Sequence, residues 1–373
     1  MKTPGFRLLP WEIRDDYDSH LIWRKSIMIS AGSYAAFDPS TPLGAYALQR
    51  REPGPDDIVI DIHYCGICHT DLHFVKNDLG MSRYPLVPGH EITGVVESVG
   101  SGVQRFRAGD RVGVGCLVNS CRECASCAEG EEQYCAGMIM TYGSDDRDGT
   151  MTQGGYSTRI VVNQDFVLRI PDALPLDRAA PLLCAGITTY SPLHVWKAGP
   201  GTRVAVVGLG GLGHMAVKIA SAMGAEVTVL STSDRKRDDA MRLGAKSFLL
   251  SKDAEAMTAA AGSFDLILNT VSAAHEVNAH LALLAKDGTM VMLGVVPEPM
   301  PVASLPLIFG RRRLAGSLIG GIAETQEMLD FCGEHGIAAD IETIPADQIN
   351  AAFERMQKSD VRYRFVIDVK TMA

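Results

Sequence analysis

One stretch limits what this chain can fold into more than any other: "RVAVVGLGGLGHMAVKIASAMGAEVTVLS" at 203–231. Val204–Val207 reads as a short apolar strand, and Gly208, Gly210 and Gly213 follow it as G-x-G-x-x-G. An apolar helical period runs through Met215, Ile219 and Met223 and stops at Gly224; Glu226–Leu230 reads as the next strand. In a strand–turn–helix–strand context, such glycines permit a tight turn and let a pyrophosphate approach the helix N-terminus. Further strands are expected at Asp265–Asn269, Thr289–Leu293 and Leu314–Leu318, with helical stretches between the earlier ones. This alternation predicts an α/β domain, a doubly wound parallel sheet, over about 187–321. After it, "TQEMLDFCGEHG" reads as a helix and "VRYRFVIDV" (361–369) as a final strand. If that strand returns to the first domain, the first domain is discontinuous, 28–186 plus 322–373.

The end of the second strand bears on the cofactor. NAD sites usually place a carboxylate there for the ribose hydroxyls. This chain has Ser231, Thr232 and Ser233, followed by Arg235, Lys236 and Arg237. A carboxylate would repel a 2′-phosphate, whereas hydroxyls and cations hold it, so NADP(H) is expected. Asp234 is the one carboxylate in the run that can still reach a ribose, and a solvated helix start is the plainer reading of the basic residues.

The length of 373 residues, with 46% hydrophobic and 21% charged, suits a two-domain globular protein. A net charge of −9 argues against a general affinity for nucleic acid or anionic membranes. No apolar run is long enough to span a bilayer, and residues 1–27 read as an extension rather than a secretory signal. A cytoplasmic location is therefore expected, and nine cysteines there read as metal ligands, a nucleophile or core residues rather than disulfides. Four of them, Cys121, Cys124, Cys127 and Cys135, lie in "CRECASCAEGEEQYC" with C-x2-C-x2-C-x7-C spacing. Four thiolates on one loop can close a tetrahedron around zinc, and a loop with so little to bury gains its folding energy from the metal. Such a closed site is structural and leaves no position for a substrate.

The segment "CGICHTDLH" (65–73) and the later "GHE" (89–91) pose a different question. A catalytic zinc needs three protein ligands and an open position. Cys68 and His90 are candidates, and Cys184 in "PLLCAGITTY" can supply a third. Glu91 adjoins His90 and can bind the metal or support it, and Asp71 can orient the His90 imidazole.

At this point the chain resembles the zinc-dependent medium-chain alcohol dehydrogenases, and within them the NADP-dependent aldehyde reductases similar to cinnamyl alcohol dehydrogenase. The resemblance is carried by "CGICHTDLH", "PGHEITGVVESVG", "GDRVGVG", the four-cysteine loop, "GGYS", "APLLCAGITTYSPL", "GLGGLGHMAVK" and "DVRYRFVIDV", from about residue 28 to 370. It implies a mainly-β GroES-like catalytic domain joined to a Rossmann domain. It implies a catalytic zinc on Cys68, His90 and Cys184 with Glu91 near the metal, leaves Cys65 a core or near-site residue, and makes the second zinc structural. Thr70 matches the hydroxyl that bonds the substrate oxygen, and His73 the histidine that passes the proton on. His69, Thr188, Gly208, Gly210, Gly211, Leu212, Gly213, Ser231, Thr232, Ser233 and Lys236 fall at cofactor positions. So do Thr270, Val271, Gly294, Val295, Ser317 and Ile319. Phe74, Cys116, Met140, Val296 and Leu318 fall at pocket positions and are apolar, which suits aromatic or medium-chain aliphatic aldehydes. Methionine at 140, where plant enzymes of this kind often carry tryptophan, favours a broad range. The implied reaction is reversible hydride transfer between NADP(H) and an aldehyde–alcohol pair, with zinc as Lewis acid and Thr70 then His73 supplying the proton. The family commonly forms homodimers through the cofactor domain, and "PMPVASLPLIF" (299–309) offers an apolar contact. Two alternatives stand beside this reading: an NAD-dependent alcohol or polyol dehydrogenase, and a non-catalytic zinc-stabilised binding protein.

Overall fold

The computed structural model describes residues 28–296 and 298–372; the expected extension, 1–27, lies outside the described residues. The first half is built on strands whose inward residues alternate or run apolar. A hairpin of β1 (Ile29–Ala35) and β2 (Gly44–Arg50) precedes β3 (Asp57–Gly66), β4 (Ile92–Val99) and β5 (Arg111–Val114). The short pair β6 (Leu117–Asn119) and β7 (Ile139–Met140) brackets the four-cysteine loop, and β8 (Arg159–Asn163) and β9 (Leu168–Arg169) follow. Helix α1 (His69–Lys76) starts three residues after β3 ends, and α2 (Ala185–Val195) starts directly after Cys184.

The second sheet contains β10 (Arg203–Val207), β11 (Glu226–Ser231), β12 (Ser247–Leu250), β13 (Phe264–Asn269), β14 (Leu284–Met292) and β15 (Arg313–Gly316). Their order is β12-β11-β10-β13-β14-β15 and every pairing is parallel. The order reverses beside β10, the switch point at which doubly wound sheets bind ligands. Helix α3 (Gly213–Ala222) leaves β10 through the glycine turn and buries Met215, Ala216 and Ile219 against the sheet. Two expected strands have different limits. β14 starts at Leu284, because the polar "AKDG" run reads as a turn but is accommodated by Asp287 at φ 66. β15 stops at Gly316, because Ser317–Gly321 leaves the sheet and crosses to α4 (Ile322–His335).

The chain then returns to the first sheet. β16 (Ile341–Pro345) pairs parallel with β17 (Arg364–Asp368), and β17 pairs antiparallel with β3, placing Val366 opposite Gly66. The first sheet thus runs β16-β17-β3-β4-β5-β9, with β8 also on β3. One apolar core lies against this sheet, and a second joins α2, α3 and α4 to the parallel sheet. Ile319 and Ile322 pack against both.

Candidate active site and two metal centres

Cys68 is the N-cap of α1, and its position is fixed by a reciprocal cap. Its backbone N–H donates to Asp71 Oδ2 at 2.8 Å. The fully buried Asp71 also accepts from the Gly89 N–H at 3.0 Å and the Tyr156 hydroxyl at 3.2 Å, and lies 3.4 Å from His90 Nδ1. One carboxylate therefore ties together the two loops that carry Cys68 and His90. Tyr142 stacks on the other side of the imidazole, with ring centroids 5.7 Å apart and planes 28° apart. Cys184 comes from a different part of the chain, at the junction of a 3-10 turn (Ala180–Leu183) and α2. Its Sγ lies 3.9 Å from Cys68 Sγ. Ligand atoms of Cys68, His90, Glu91 and Cys184 all lie within 4.8 Å of one another, and all four residues are buried.

This donor set fits zinc. Two thiolates about 2.3 Å from a tetrahedral centre stand about 3.8 Å apart, close to the Cys68–Cys184 separation. The Cys68 thiol is held well below its ordinary value, chiefly by the hydrogen bond from Cys184 and also by His90, so it meets the need for a thiolate ligand. Cys65 shows the opposite behaviour. Burial, assisted by Asp71, pushes its thiol well up, and its Sγ bonds only its neighbour's carbonyl. It is a neutral core residue, as the resemblance implies.

Glu91 lies over Gly66, where a Cβ would come within 2.9 Å of the Glu91 Cδ. Its Oε1 accepts from Arg364 on β17, and both side chains are buried. Its other oxygen, Oε2, has no hydrogen-bond partner. That orphaned buried atom is what a carboxylate beside a metal site would show. Arg364 was not legible as a site residue in the sequence. It sits 273 positions from Glu91, and only the return of the last strand brings the two together. Asp78 was also missed. It lies 2.9 Å from His73 Nδ1, while Thr70 Oγ1 lies 3.6 Å from Cys68 Sγ. The resemblance implied a substrate-side role for Thr70, whose hydroxyl lies beside Cys68; His73 sits on the same helix, turned towards Asp78. Among the expected pocket residues, Cys116 Sγ donates to the carbonyl of Leu183, the residue before Cys184, at 3.9 Å, whereas Phe74 is buried at 4% exposure against Leu86 and Tyr142, with Met140 alongside. Leu318 is exposed and Val296 half-buried.

A groove of about 380 Å³ opens next to the cage, lined by His69, Gly210, Gly211, Ser233, Lys236 and Arg364 among others. Gly208 adopts φ 89, and a Cβ at Gly213 would overlap the Gly208 carbonyl, so the turn admits only glycine at both places. Thr270, Val271, Gly294, Val295, Ser317 and Ile319 follow the C-terminal ends of β13, β14 and β15 on the same side of the sheet, and Thr188 is buried in α2 one turn after Cys184. At the end of β11, Ser231 Oγ accepts from the Ser233 N–H, and Lys236 Nζ donates to the Leu209 carbonyl at 2.7 Å. Asp234 is tied to Arg237 at 2.7 Å, and Asp239, which lines the groove, is engaged by Arg362 at 3.2 Å and by the Tyr363 hydroxyl at 2.9 Å.

The second centre is separate. Cys121, Cys124, Cys127 and Cys135 present sulphurs within 4.8 Å of one another. Backbone N–H groups of Cys121 and Gly137 donate to Cys135 Sγ at 3.4 and 3.3 Å, and that of Cys124 to Cys121 Sγ at 3.4 Å. Four clustered cysteine sulphurs, two of them accepting backbone N–H groups, are the outfit of a structural zinc site. All nine cysteines are free of disulfides.

A buried cage of two thiols, an imidazole and a carboxylate, adjoining a groove at the glycine turn, marks a metal-assisted dehydrogenase. Residues 54–172 match the family model of the alcohol dehydrogenase GroES-like domain, and residues 211–334 match that of the zinc-binding dehydrogenases. The chain is 58% identical over 347 residues to NADP-dependent alcohol dehydrogenase C 1 of Mycolicibacterium smegmatis, covering 92% of this chain and 99% of that one. It is 53% identical over 338 residues to a probable cinnamyl alcohol dehydrogenase of Pinus taeda, covering 90% and 95%. Among solved structures, a cinnamyl alcohol dehydrogenase of Sorghum bicolor superposes with a TM-score of 0.90 at 51% identity, covering 92% of this chain and 99% of that one. CAD from Helicobacter pylori complexed with NADP(H) gives 0.87 at 40%, covering 93% and 100%. The chain belongs to the zinc-binding alcohol dehydrogenase family and is an alcohol dehydrogenase.

Proposed function

We propose that the protein is an NADP(H)-dependent reductase of aldehydes, working reversibly on aromatic and medium-chain aliphatic aldehyde–alcohol pairs. The observation that carries this reading is the junction of cage and groove: Cys68 adjoins His69 in the groove, and Glu91 of the cage is paired with Arg364 in its wall. Cys68, His90 and Cys184 would hold the catalytic zinc with Glu91 beside it; Cys121, Cys124, Cys127 and Cys135 would hold the structural one. When bound, zinc supplies Lewis-acid polarisation of the substrate oxygen, and the nicotinamide supplies the hydride.

The chain's own residues orient and move the proton. Asp71 holds His90 and the N-terminus of α1. Thr70, beside Cys68, bonds the substrate oxygen, and His73 takes the proton route to solvent, being 21% exposed and steadied by Asp78. Ser231, Ser233 and Lys236 favour a 2′-phosphate, and the nearby carboxylates Asp234 and Asp239 are each engaged with an arginine. Apolar Met140, Val296 and Leu318, with Cys116, suit an aldehyde without many hydroxyls.

The chain acts in the cytoplasm as a homodimer. Two thiol clusters need a reducing compartment, and no described helix is long and apolar enough to cross a membrane. Leu305, Ile308 and Phe309 are 61%, 69% and 85% exposed on a helix (Ser304–Gly310) next to β15, which is the last strand of its sheet. An apolar patch beside a sheet edge is a natural self-association surface.

Measuring kcat/KM for an aldehyde panel with NADPH and with NADH tests the reading. NADPH should be preferred, and Ser231→Asp should move preference towards NADH. Equal use of both cofactors by the unaltered protein removes the 2′-phosphate argument.

A further inference from the structure

The segment Ser317–Gly321 straps the parallel sheet to α4. Ile319 in this strap has φ 35, a left-handed conformation that β-branched side chains seldom take. It also packs against both apolar cores. Strained backbone of this sort persists where its surroundings over-determine it.

Those surroundings come from the four-cysteine lobe. The Leu318 N–H donates to Tyr134 Oη at 3.4 Å, and the Ile322 N–H donates to Glu132 Oε2 at 3.0 Å. Ile322 is the first residue of α4, so its N–H has no partner within the helix. A carboxylate there also faces the positive end of the helix dipole. Gly321 lies so close to the lobe that a Cβ would overlap the Gly130 carbonyl and stand 2.6 Å from Glu132 Oε2. Glu132 and Tyr134 lie between Cys127 and Cys135, so their placement depends on the closure of the cysteine cage.

We propose that the lobe is a latch: Glu132 and Tyr134 are positioning residues that fix Ser317–Ile319 at the C-terminal end of β15 and thereby set dinucleotide affinity. This deepens the reading of the cofactor groove given above and rests on it. It gives the four-thiolate centre a task beyond folding its own loop. The anchors lie on either side of the strained residue, so loss of either lets the strap relax away from the C-terminal end of β15.

The test uses the full-length holoenzyme with both zincs, with dissociation constants for NADPH and NADH read by cofactor fluorescence. Glu132→Ala should weaken NADPH binding about tenfold, the effect of losing one charged hydrogen bond. Tyr134→Phe should weaken it about threefold, on the scale of a neutral hydrogen bond. Glu132→Gln, which keeps an acceptor, should recover most of the loss. Zinc content should stay at two per chain, and kcat at saturating cofactor should move less than about twofold, because the chemistry itself is untouched. Unchanged affinity in Tyr134→Phe, whatever the fate of the Glu132→Ala variant, overturns the latch. So does a loss in Glu132→Ala that appears only together with loss of zinc. An unaltered protein that binds NADH more tightly than NADPH overturns the cofactor assignment instead, and the latch is then judged on the NADH constants.

Discussion

Asp71 shows how much one side chain does at this site. It receives hydrogen bonds from Cys68 N, Gly89 N and Tyr156 Oη, and it faces His90. Asp71→Asn keeps the shape but replaces one acceptor oxygen with a donor, opposite groups that also donate. Outer partners of metal ligands are commonly worth 10–100-fold in metal affinity, so zinc should leave the catalytic centre at about that much lower chelator concentration. Cys68→Ala should reduce bound zinc from two per chain to one. It should also lower kcat/KM by about a thousandfold, the kinetic equivalent of losing several kcal/mol of charge stabilisation; full-rate aldehyde reduction by this variant would remove the mechanism. Cys68, His90 and Cys184 each stand in a short, distinctive segment that made them candidates, and the family resemblance joined them into one set, whose ligand atoms the fold brings within 4.8 Å. Arg364 and Asp78 were not, since nothing local distinguishes a partner that depends on tertiary return or on the turn after α1.

At the scale of elements, α3 and the four-cysteine loop make the sharpest cases. His214 on α3 is fully buried, stacked on Tyr363 with centroids 4.9 Å apart, and lowered from 6.5 to about 3 by burial, with Lys218 and Arg364 adding to it. Its folded value lies below its unfolded one. The stability this neutral ring contributes is therefore present above pH 6.5 and lost as pH falls from there towards 3. At pH 5 the loss is about 2 kcal/mol, from 1.36 kcal/mol per unit over about 1.5 units. Urea midpoints at pH 7 and pH 5 should accordingly converge in His214→Phe and differ in the unaltered protein. In the cysteine loop, the helical turn Ala125–Ala128 buries no residue at all. Cys124→Ser should cost one zinc per chain and expose the bond after Arg122 to trypsin, while a loop that stays resistant would show it folds without metal. The glycine turn and α3 were legible because period and punctuation agree. The start of β14 and the strap were hidden, the first by a turn-like "KDG", the second because its conformation is imposed by the lobe rather than by its own residues.

For the whole molecule, the two-sheet plan followed from the order of patterns along the chain, but the register of β17 between β3 and β16 required the structure. The self-association face is tested at this scale: Phe309→Glu should turn a dimer into a monomer by sedimentation, leaving the circular dichroism spectrum unchanged. An unaltered protein that sediments as a monomer removes that proposal. The late strand has one more consequence. β17 fills the middle of the first sheet and brings Arg364 against Glu91, yet it is synthesised after every strand of the parallel sheet. The domain built on the first sheet therefore waits, its sheet gapped and its cage lacking one wall, while the parallel-sheet domain can already fold as a continuous unit. Translation order and assembly order are inverted here: the half that is made first is finished last.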